Sequence, residues 1–271
     1  MALEYLSHLA RLDTRDIHPG GSAASAALLQ ALDIEPGQRV LEIGCGAAGT
    51  LERLCRNTPV YAAGVDLLPG MLARARQRVA AAGFSDRVAL VRGSAEHLPF
   101  KKGTFDAVYC ESVLGFQKTP ALRAILREIY RVLQPGGRLL ANEAIWKRDV
   151  DDALAETINA ACEKDFGLAQ ATESAWGFTH WLRELEAAGF QIDSHELLDD
   201  LANGEEGVDR RAVDAGAILR RALTWLSPTL LAERLRYRRL LVSYLPISVH
   251  VEGRLFVVTR PATADGAAGP D

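Results

Sequence analysis

A glycine-rich turn between an apolar run and a helix start constrains the fold of this chain more than any other feature. Residues 39–49 read Arg-Val-Leu-Glu-Ile-Gly-Cys-Gly-Ala-Ala-Gly and lead into Thr50–Leu54. The apolar run predicts a buried first strand, and the segment after the glycines predicts a helix start. Gly44 and Gly46 permit a tight turn and a close approach to a ligand, and Gly49 is expected to let the helix pack on the strand. This pattern predicts an α/β fold with a nucleotide site beside the first strand.

The residue at position 42 separates two classes of nucleotide ligand. The spacing Gly44-x-Gly46-x-x-Gly49 fits the dinucleotide fingerprint, and by itself it indicates an NAD(P)-dependent oxidoreductase. Glu42 precedes the first glycine at a place that is usually apolar in dinucleotide sites. A carboxylate there suits a ligand that carries positive charge and lacks a diphosphate, because opposite charges attract. Glu42 therefore argues against a dinucleotide.

A second acid stands at the end of the next apolar run. Val60–Asp66 predicts a buried second strand, and Asp66 lies about as far after Gly46 as the fingerprint requires. In nucleoside-binding α/β folds, an acid at this place accepts hydrogen bonds from both ribose hydroxyls. The alternative is an aspartate in a solvated loop. The spacing favours Asp66 as a ribose ligand.

The motifs together resemble those of a known enzyme family. The segment Leu-Glu-Ile-Gly-Cys-Gly at 41–46 resembles the first motif of the class I S-adenosylmethionine-dependent methyltransferases, and Leu-x-Pro-Gly-Gly at 133–137 is a second landmark. The resemblance covers 35–145 well and 178–198 loosely. It implies a small-molecule methyltransferase of the type 11 kind. The implied fold is a Rossmann-like, seven-stranded, mostly parallel sheet with helical cap insertions.

The resemblance also implies a set of cofactor contacts. S-adenosyl-L-methionine is the implied cofactor, and the residues implied to bind it are Glu42, Gly44, Cys45, Gly46, Asp66, Leu67, Ser94, Ala95 and Cys110. Ser94 departs from the family pattern, which has an acid at this position to accept from the adenine amine. A hydroxyl can still accept, although as a neutral and weaker partner.

The domain organisation follows from where the strand and helix patterns stop alternating. We expect an N-terminal helical lid segment over 1–34 and a core in two parts, 35–145 and 178–260. We also expect two helical cap insertions, 146–177 and 199–251, and a disordered tail over 261–271. The longer insertion predicts two helices, 208–226 and 228–244. Smaller predictions are Ser22 as the cap of the helix that ends at Leu32, a helical segment over 144–175, and Thr179 as the cap of a helix from His180.

The four tryptophans, Trp146, Trp176, Trp181 and Trp225, all lie after the first 145 residues. Aromatic side chains form walls around apolar ligands, but they also fill cores. The sequence leaves both interpretations open.

Composition limits the partners of the chain. Its 271 residues carry a formal charge of −4, which disfavours a nucleic-acid partner and favours a small-molecule acceptor. The four cysteines, at 45, 55, 110 and 162, lack the spacing of a metal site or a disulfide framework and predict small buried thiols. No apolar run is long enough for a membrane span, so we expect a cytoplasmic protein without a metal or membrane partner.

Methyl transfer from a sulfonium needs a nucleophile placed near the methyl group in a dry cleft, and a base only where the acceptor is protonated. Two residues are candidates for the catalytic work: His18 in the lid segment and Glu111 at the end of the fourth strand. His180 and Tyr5 are more distant candidates. The Asn-Pro-Pro-Tyr pattern of enzymes that methylate DNA amino groups is absent after strand four. The sequence leaves open the acceptor, the methylated atom and the oligomeric state. It also leaves open the alternative of a protein that binds the cofactor without catalysing a reaction.

Overall fold

The fold is described from a computed structural model. The described residues are 20–198, 232, 235, 236 and 249–262. The predictions for His18, Tyr5, Trp225 and the first part of the lid segment lie outside these residues. So do the two predicted helices of the long insertion, apart from three single positions, and nearly all of the predicted tail.

Strands and helices alternate along the described chain, as the sequence predicts. The strands are β1 (Arg39–Ile43), β2 (Tyr61–Asp66), β3 (Val88–Arg92), β4 (Phe105–Glu111), β5 (Leu133–Trp146), β6 (Gln191–Leu197) and β7 (Val251–Thr259). The helices are α1 (Gly21–Ala31), α2 (Gly49–Asn57), α3 (Pro69–Ala81), α4 (Thr119–Val132), α5 (Asp152–Phe166) and α6 (Phe178–Ala187).

The seven strands form one sheet in the order β3-β2-β1-β4-β5-β7-β6. β1 to β5 are parallel, and β7 runs antiparallel to both of its neighbours. The predicted seven-stranded, mostly parallel, Rossmann-like sheet is therefore confirmed. The chain leaves β1 towards β2 on one side and returns to β4 on the other, so a crevice opens between the carboxyl ends of β1 and β4.

Both faces of the sheet are covered because neighbouring strand residues point to opposite sides. Leu41 of β1 and Val108 of β4 pack with α4 and α6, whereas Val40 and Tyr109 pack with α1, α2 and α3. These four side chains are completely buried. These layers fix the positions of the carboxyl ends of the parallel strands. The carboxyl ends of β1, β2, β3 and β4 are called the rim.

Several local predictions are wrong at helix starts. α1 is capped by Gly20 in a left-handed conformation rather than by Ser22, and α6 starts at Phe178 after Gly177 rather than at His180 after Thr179. Neither true cap residue makes a side-chain hydrogen bond. The sequence signal for a cap rests on a side-chain acceptor, which a glycine cap does not have.

The predicted helical segment over 144–175 is too long. β5 continues to Trp146, which pairs with Val251 of β7, and the helix in this region is α5 alone. Asp151 caps it by accepting a hydrogen bond from the Leu154 N–H at 2.8 Å. β7 starts at Val251, opposite the end of β5.

The described tryptophans are part of the core. Trp146 and Trp181 are fully buried and Trp176 nearly so, and the indole N–H of Trp146 donates to the Thr172 carbonyl at 2.9 Å. The core interpretation of these three side chains is the correct one. All four cysteines are free and buried, which confirms them as small interior thiols. Among the described residues, no helix combines the length and apolar character needed to cross a bilayer.

Candidate active site

The glycine turn after β1 is closed on the neighbouring strand β2. Gly44 and Gly46 have φ values of 69° and 50°, in the left-handed region that glycine tolerates best. The N–H groups of Gly44 and Cys45 both donate to the Val65 carbonyl, at 2.8 and 3.1 Å, and the Gly46 N–H donates to Asp66 Oδ2 at 2.9 Å. A bound diphosphate would need backbone donors of this kind for itself. These three donors are already used within the fold.

The predicted role of Gly49 is wrong. A Cβ at this position would meet nothing within 4 Å, so no close contact between α2 and the strand depends on it. The close approach occurs at Gly64 of β2, where a Cβ would lie 2.8 Å from the Cys45 sulfur. The absence of a Cβ at Gly64 thus leaves room for the Cys45 side chain.

Asp66 links three strand ends. Its Oδ1 accepts from the Leu68 N–H at 2.8 Å, its Oδ2 accepts from Gly46, and its own carbonyl accepts from Gly93 after β3 at 3.2 Å. Burial raises the pKa of the Asp66 carboxyl, and the backbone donors of Leu68 and Gly46 oppose that rise. Each carboxylate oxygen keeps a second lone pair, so the predicted pairing with two ribose hydroxyls is compatible with this geometry.

Glu42 is a buried carboxyl without a full set of partners. It is 5% exposed, and its Oε2 has no hydrogen-bond partner. Burial raises the pKa of Glu42 well above the usual value, and the negative charges of Glu111 and Asp66 raise it further. The Tyr109 hydroxyl lies close enough to oppose that rise, although it forms no hydrogen bond of ordinary geometry. Glu42 is a buried acceptor that a cationic ligand group would satisfy.

The segment after β3 forms a compact turn that carries the predicted adenine contacts. Ser94 Oγ accepts from the Glu96 N–H at 3.2 Å, and the Ser94 carbonyl accepts from the His97 N–H at 3.1 Å. Ala95 packs against the core. Across the rim, Leu67 is 60% exposed, which is unusual for a leucine at the end of a buried strand. An exposed apolar side chain at this place suits the face of an adenine ring.

At the end of β4, Glu111 lies in a polar network that joins four elements. Its oxygens accept from Ser25 Oγ of α1 and Thr50 Oγ1 of α2, both at 2.8 Å, and from Asn142 Nδ2 of β5 at 3.3 Å. Its neighbour Cys110 is fully buried. The predicted candidate Glu111 thus lies at the β1–β4 crevice and is oriented by side chains of α1, α2 and β5.

The sequence-based interpretation missed Glu143 and Val113. Glu143 is completely buried at the carboxyl end of the parallel part of β5 and accepts backbone hydrogen bonds from the loop after β4. Val113, in that loop, packs against Gly44. A usable signal was present: Asn142-Glu143 is a polar pair inside the apolar run Leu139–Trp146. A buried acid in such a run is rare unless it is paired.

His180 makes its contacts away from the rim, and the two cysteines at the rim are not nucleophiles. His180 stacks on Trp176, with ring centroids 4.0 Å apart, and lies 3.6 Å from Glu184 on the same helix. Burial raises the thiol pKa of Cys45 and Cys110 well above the usual value, and the nearby carboxylates raise it further. Both thiols therefore stay protonated and are poor nucleophiles.

Comparison with known proteins decides the family. A family model described as a methyltransferase domain matches residues 40–137. An uncharacterised methyltransferase of Bacillus subtilis, YodH, is 34% identical over 194 residues, which cover 69% of this chain and 74% of that protein. The chain belongs to the class I S-adenosylmethionine-dependent methyltransferases. The family resemblance found in the glycine turn and the later landmarks is thereby confirmed.

Other matches agree in fold and differ in what they are named for. The sterol 24-C-methyltransferase ERG6B of Gibberella zeae is 32% identical to this methyltransferase over 178 residues, which cover 65% of the chain and 44% of that protein. The chain spans about half the length of two of the first curated relatives that it matches. The crystal structure of the [4+2]-cyclase SpnF superposes with a TM-score of 0.69 at 19% identity, covering 97% of this chain and 93% of that one.

The residues at the rim fit the cofactor of the family, S-adenosylmethionine, which solved neighbours of this fold hold. The turn at Gly44 and Gly46 leaves backbone exposed without side chains, Glu42 has an unsatisfied buried oxygen, and Asp66 keeps acceptor capacity on both oxygens. These are the features that an adenosyl amino acid requires: a close backbone approach, an acceptor for a cationic group, and an acceptor for ribose hydroxyls.

Proposed function

We propose that this chain transfers a methyl group from S-adenosylmethionine to a small, partly apolar metabolite. The observation that carries the proposal is the closed turn after β1, whose N–H groups are taken up by Val65 and Asp66 while the Glu42 oxygen beneath it lacks a partner. An unpartnered buried acceptor next to glycine backbone suits a cationic adenosyl ligand.

The cofactor site in this proposal is the rim of β1, β2, β3 and β4. Its residues are those that the resemblance implies: Glu42, Gly44, Cys45, Gly46, Asp66, Leu67, Ser94, Ala95 and Cys110. Glu42 and Asp66 supply the charged acceptors, and Leu67 covers the adenine face. Ser94 contributes through its second lone pair and its own O–H, because one acceptor site is used by Glu96. The bound cofactor supplies an activated methyl group, and the protein orients the acceptor and excludes water.

Glu111 is the residue proposed to orient the acceptor. Three neutral donors hold its carboxylate at the mouth of the β1–β4 crevice, so it can receive an acceptor O–H or N–H there without moving. His18, the other catalytic candidate, is proposed to act as a base or to form a hydrogen bond with the cofactor.

The names of relatives and the formal charge of the chain support the proposed class of acceptor. Relatives are named for sterol and for ubiquinone and menaquinone substrates, both of which are small and largely apolar. The formal charge of −4 gives no reason to expect a nucleic-acid acceptor.

A second candidate function is cofactor binding without methyl transfer. The observation in its favour is the structural match to SpnF, a [4+2]-cyclase, which indicates that this fold is not confined to methyl transfer. The oxidoreductase alternative is disfavoured, because the acids Glu42 and Asp66 beside the turn do not suit a diphosphate.

Calorimetric titration with S-adenosylhomocysteine and with NADH tests the proposal first. We expect binding of the former alone. Incubation with labelled S-adenosylmethionine and pools of sterols, quinones, phenols and amines then tests turnover, with Glu111→Gln as the variant. We expect label in one acceptor class, loss of turnover in the variant, and little change in its affinity for S-adenosylhomocysteine. Binding without turnover in every pool would favour the second candidate, and no binding at all would overturn both.

A further inference from the structure

A buried carboxylate holds three consecutive backbone donors in the loop after β4. Glu143 Oε1 accepts from the N–H groups of Val113 at 3.0 Å and Leu114 at 2.9 Å, and Oε2 accepts from Gly115 at 2.9 Å. The Cys110 thiol also donates to Oε1, at 3.6 Å. No part of Glu143 reaches solvent. The three N–H groups form an anion-binding nest that is occupied by the protein's own side chain.

The backbone of this loop is arranged to keep the nest closed. Ser112 has a φ of 54°, an uncommon value for a non-glycine residue, and its N–H donates to the Asn142 carbonyl at 2.8 Å. Gln117 donates its side-chain amide to the Val113 carbonyl at 2.8 Å. A Cβ on Gly115 would lie 2.8 Å from the Ala144 carbonyl, so only glycine fits there. These contacts and the hydrogen bonds to Glu143 together hold the loop in this conformation.

The same loop presses on the glycine turn. The space that a Cβ on Gly44 would take is filled by Cγ2 of Val113, 2.5 Å from the ideal Cβ position. Glu143 fixes the Val113 N–H, and Val113 in turn limits the position of Gly44. Glu143 also contacts Cys110, which is a proposed cofactor contact at the end of β4.

We propose that Glu143 is a positioning residue, which sets the Val113–Gly115 loop against Gly44 so that the cofactor site is formed before the cofactor binds. It touches neither cofactor nor acceptor. Burial raises the pKa of its carboxyl, and the three backbone donors oppose the rise. An acid suits this place because two acceptor oxygens are required at once. An amide offers one oxygen, and its NH₂ would face the N–H of Val113 and Leu114 or that of Gly115.

This inference rests on the proposed cofactor site, and the experiment separates the two. S-adenosylhomocysteine affinity is measured by calorimetry for the wild type, Glu143→Gln, Glu143→Asp and the control Asp106→Asn. Asp106 also accepts a backbone hydrogen bond, from Arg39 at 2.7 Å, but at the opposite end of the sheet. We expect about tenfold weaker binding or more for Glu143→Gln, partial recovery for Glu143→Asp because the charge is kept, and no change for Asp106→Asn.

A wild type that does not bind overturns the proposed function. A wild type that binds while Glu143→Gln binds equally well overturns the positioning role alone. A measurement on the unmodified protein covers the case in which the variants do not fold: hydrogen exchange of the Val113, Leu114 and Gly115 amides without ligand. Protection equal to that of the β4 amides supports a preformed site, and rapid exchange that slows only on addition of S-adenosylhomocysteine overturns it.

Discussion

Val113 occupies the space that glycine leaves at position 44. An ideal Cβ on Gly44 would lie 2.5 Å from Val113 Cγ2, closer than real Cβ contacts, and the φ of Gly44 is 69°. The first glycine of the turn is thus required by its own backbone angle and by a neighbour from another strand end. The turn and the loop after β4 therefore form a single packed unit at the mouth of the crevice.

Gly44→Ala is expected to destabilise the protein and weaken cofactor binding. The added methyl group collides with Val113 and strains a left-handed residue, which together cost about 1–3 kcal/mol of unfolding free energy. Urea unfolding measures the stability, and calorimetry with S-adenosylhomocysteine measures the affinity.

Adding Val113→Ala to this variant separates the two causes, because it removes the methyl group at 2.5 Å and leaves the backbone strain. The double variant should recover part of the lost stability. If it is no more stable than the sum of the single changes predicts, the contact is not the cause.

Asp66→Asn is expected to weaken S-adenosylhomocysteine binding by about tenfold or more, because hydrogen bonds to a charged acceptor are stronger than those to a neutral one. One oxygen is also replaced by a donor that faces the N–H of Gly46 or Leu68. Calorimetry measures the loss. Asp193→Asn is the matched control, because Asp193 is bonded to Thr259 away from the rim. Equal affinities for the wild type and Asp66→Asn would remove Asp66 from the site.

How much the sequence could predict depends on the range of each interaction. The alternation of strands and helices and the acids at the ends of β1 and β2 are local patterns, so they were predictable. The packing of Val113 on Gly44 and the hold of Glu143 on the loop after β4 join segments far apart in the chain. No spacing rule encodes such contacts. Glycine caps such as Gly20 also escape prediction, since they lack a side-chain acceptor.

An ion pair on α4 supports the segment that carries the proposed adenine contacts. Arg131 donates to both oxygens of Glu128, at 2.7 and 2.8 Å, and to the carbonyls of Leu98 and Phe100, while Glu128 accepts from the Leu98 N–H. The Arg131 hydrogen bond holds the pKa of Glu128 below its usual value. A carboxyl with a lowered folded pKa adds stability above its unfolded pKa and loses it as the pH falls through the folded value.

Glu128→Gln should therefore be less stable than the wild type at pH 7, by about 1 kcal/mol after allowance for the partial exposure of the pair. The difference should shrink as the pH falls below about 4, the region of the unfolded pKa of glutamate. Urea unfolding at pH 7, 5 and 3.5 measures it. A difference that does not vary with pH would show that the charge of Glu128 contributes nothing.

The stability contribution of Glu42 should depend on pH in the opposite direction. Burial and the charges of Glu111 and Asp66 raise its folded pKa above the unfolded value of about 4.3. Its stability contribution is then complete below the unfolded pKa and is lost as the pH rises through the folded pKa. Because an amide puts no negative charge into this buried position beside Glu111 and Asp66, Glu42→Gln should stabilise the free protein at pH 8 by about 1–3 kcal/mol.

The same change should weaken the binding of S-adenosylhomocysteine, since in the proposed site the carboxylate accepts from the ligand ammonium. If Glu42 is protonated in the free protein and ionised in the complex, binding releases a proton. Calorimetry in two buffers of different ionisation enthalpy measures that release, which Glu42→Gln should abolish. A variant that is more stable and binds less tightly, without proton release, would establish Glu42 as a residue kept for binding at the expense of stability. A variant that binds as tightly as the wild type would show that the buried carboxyl does not serve the ligand.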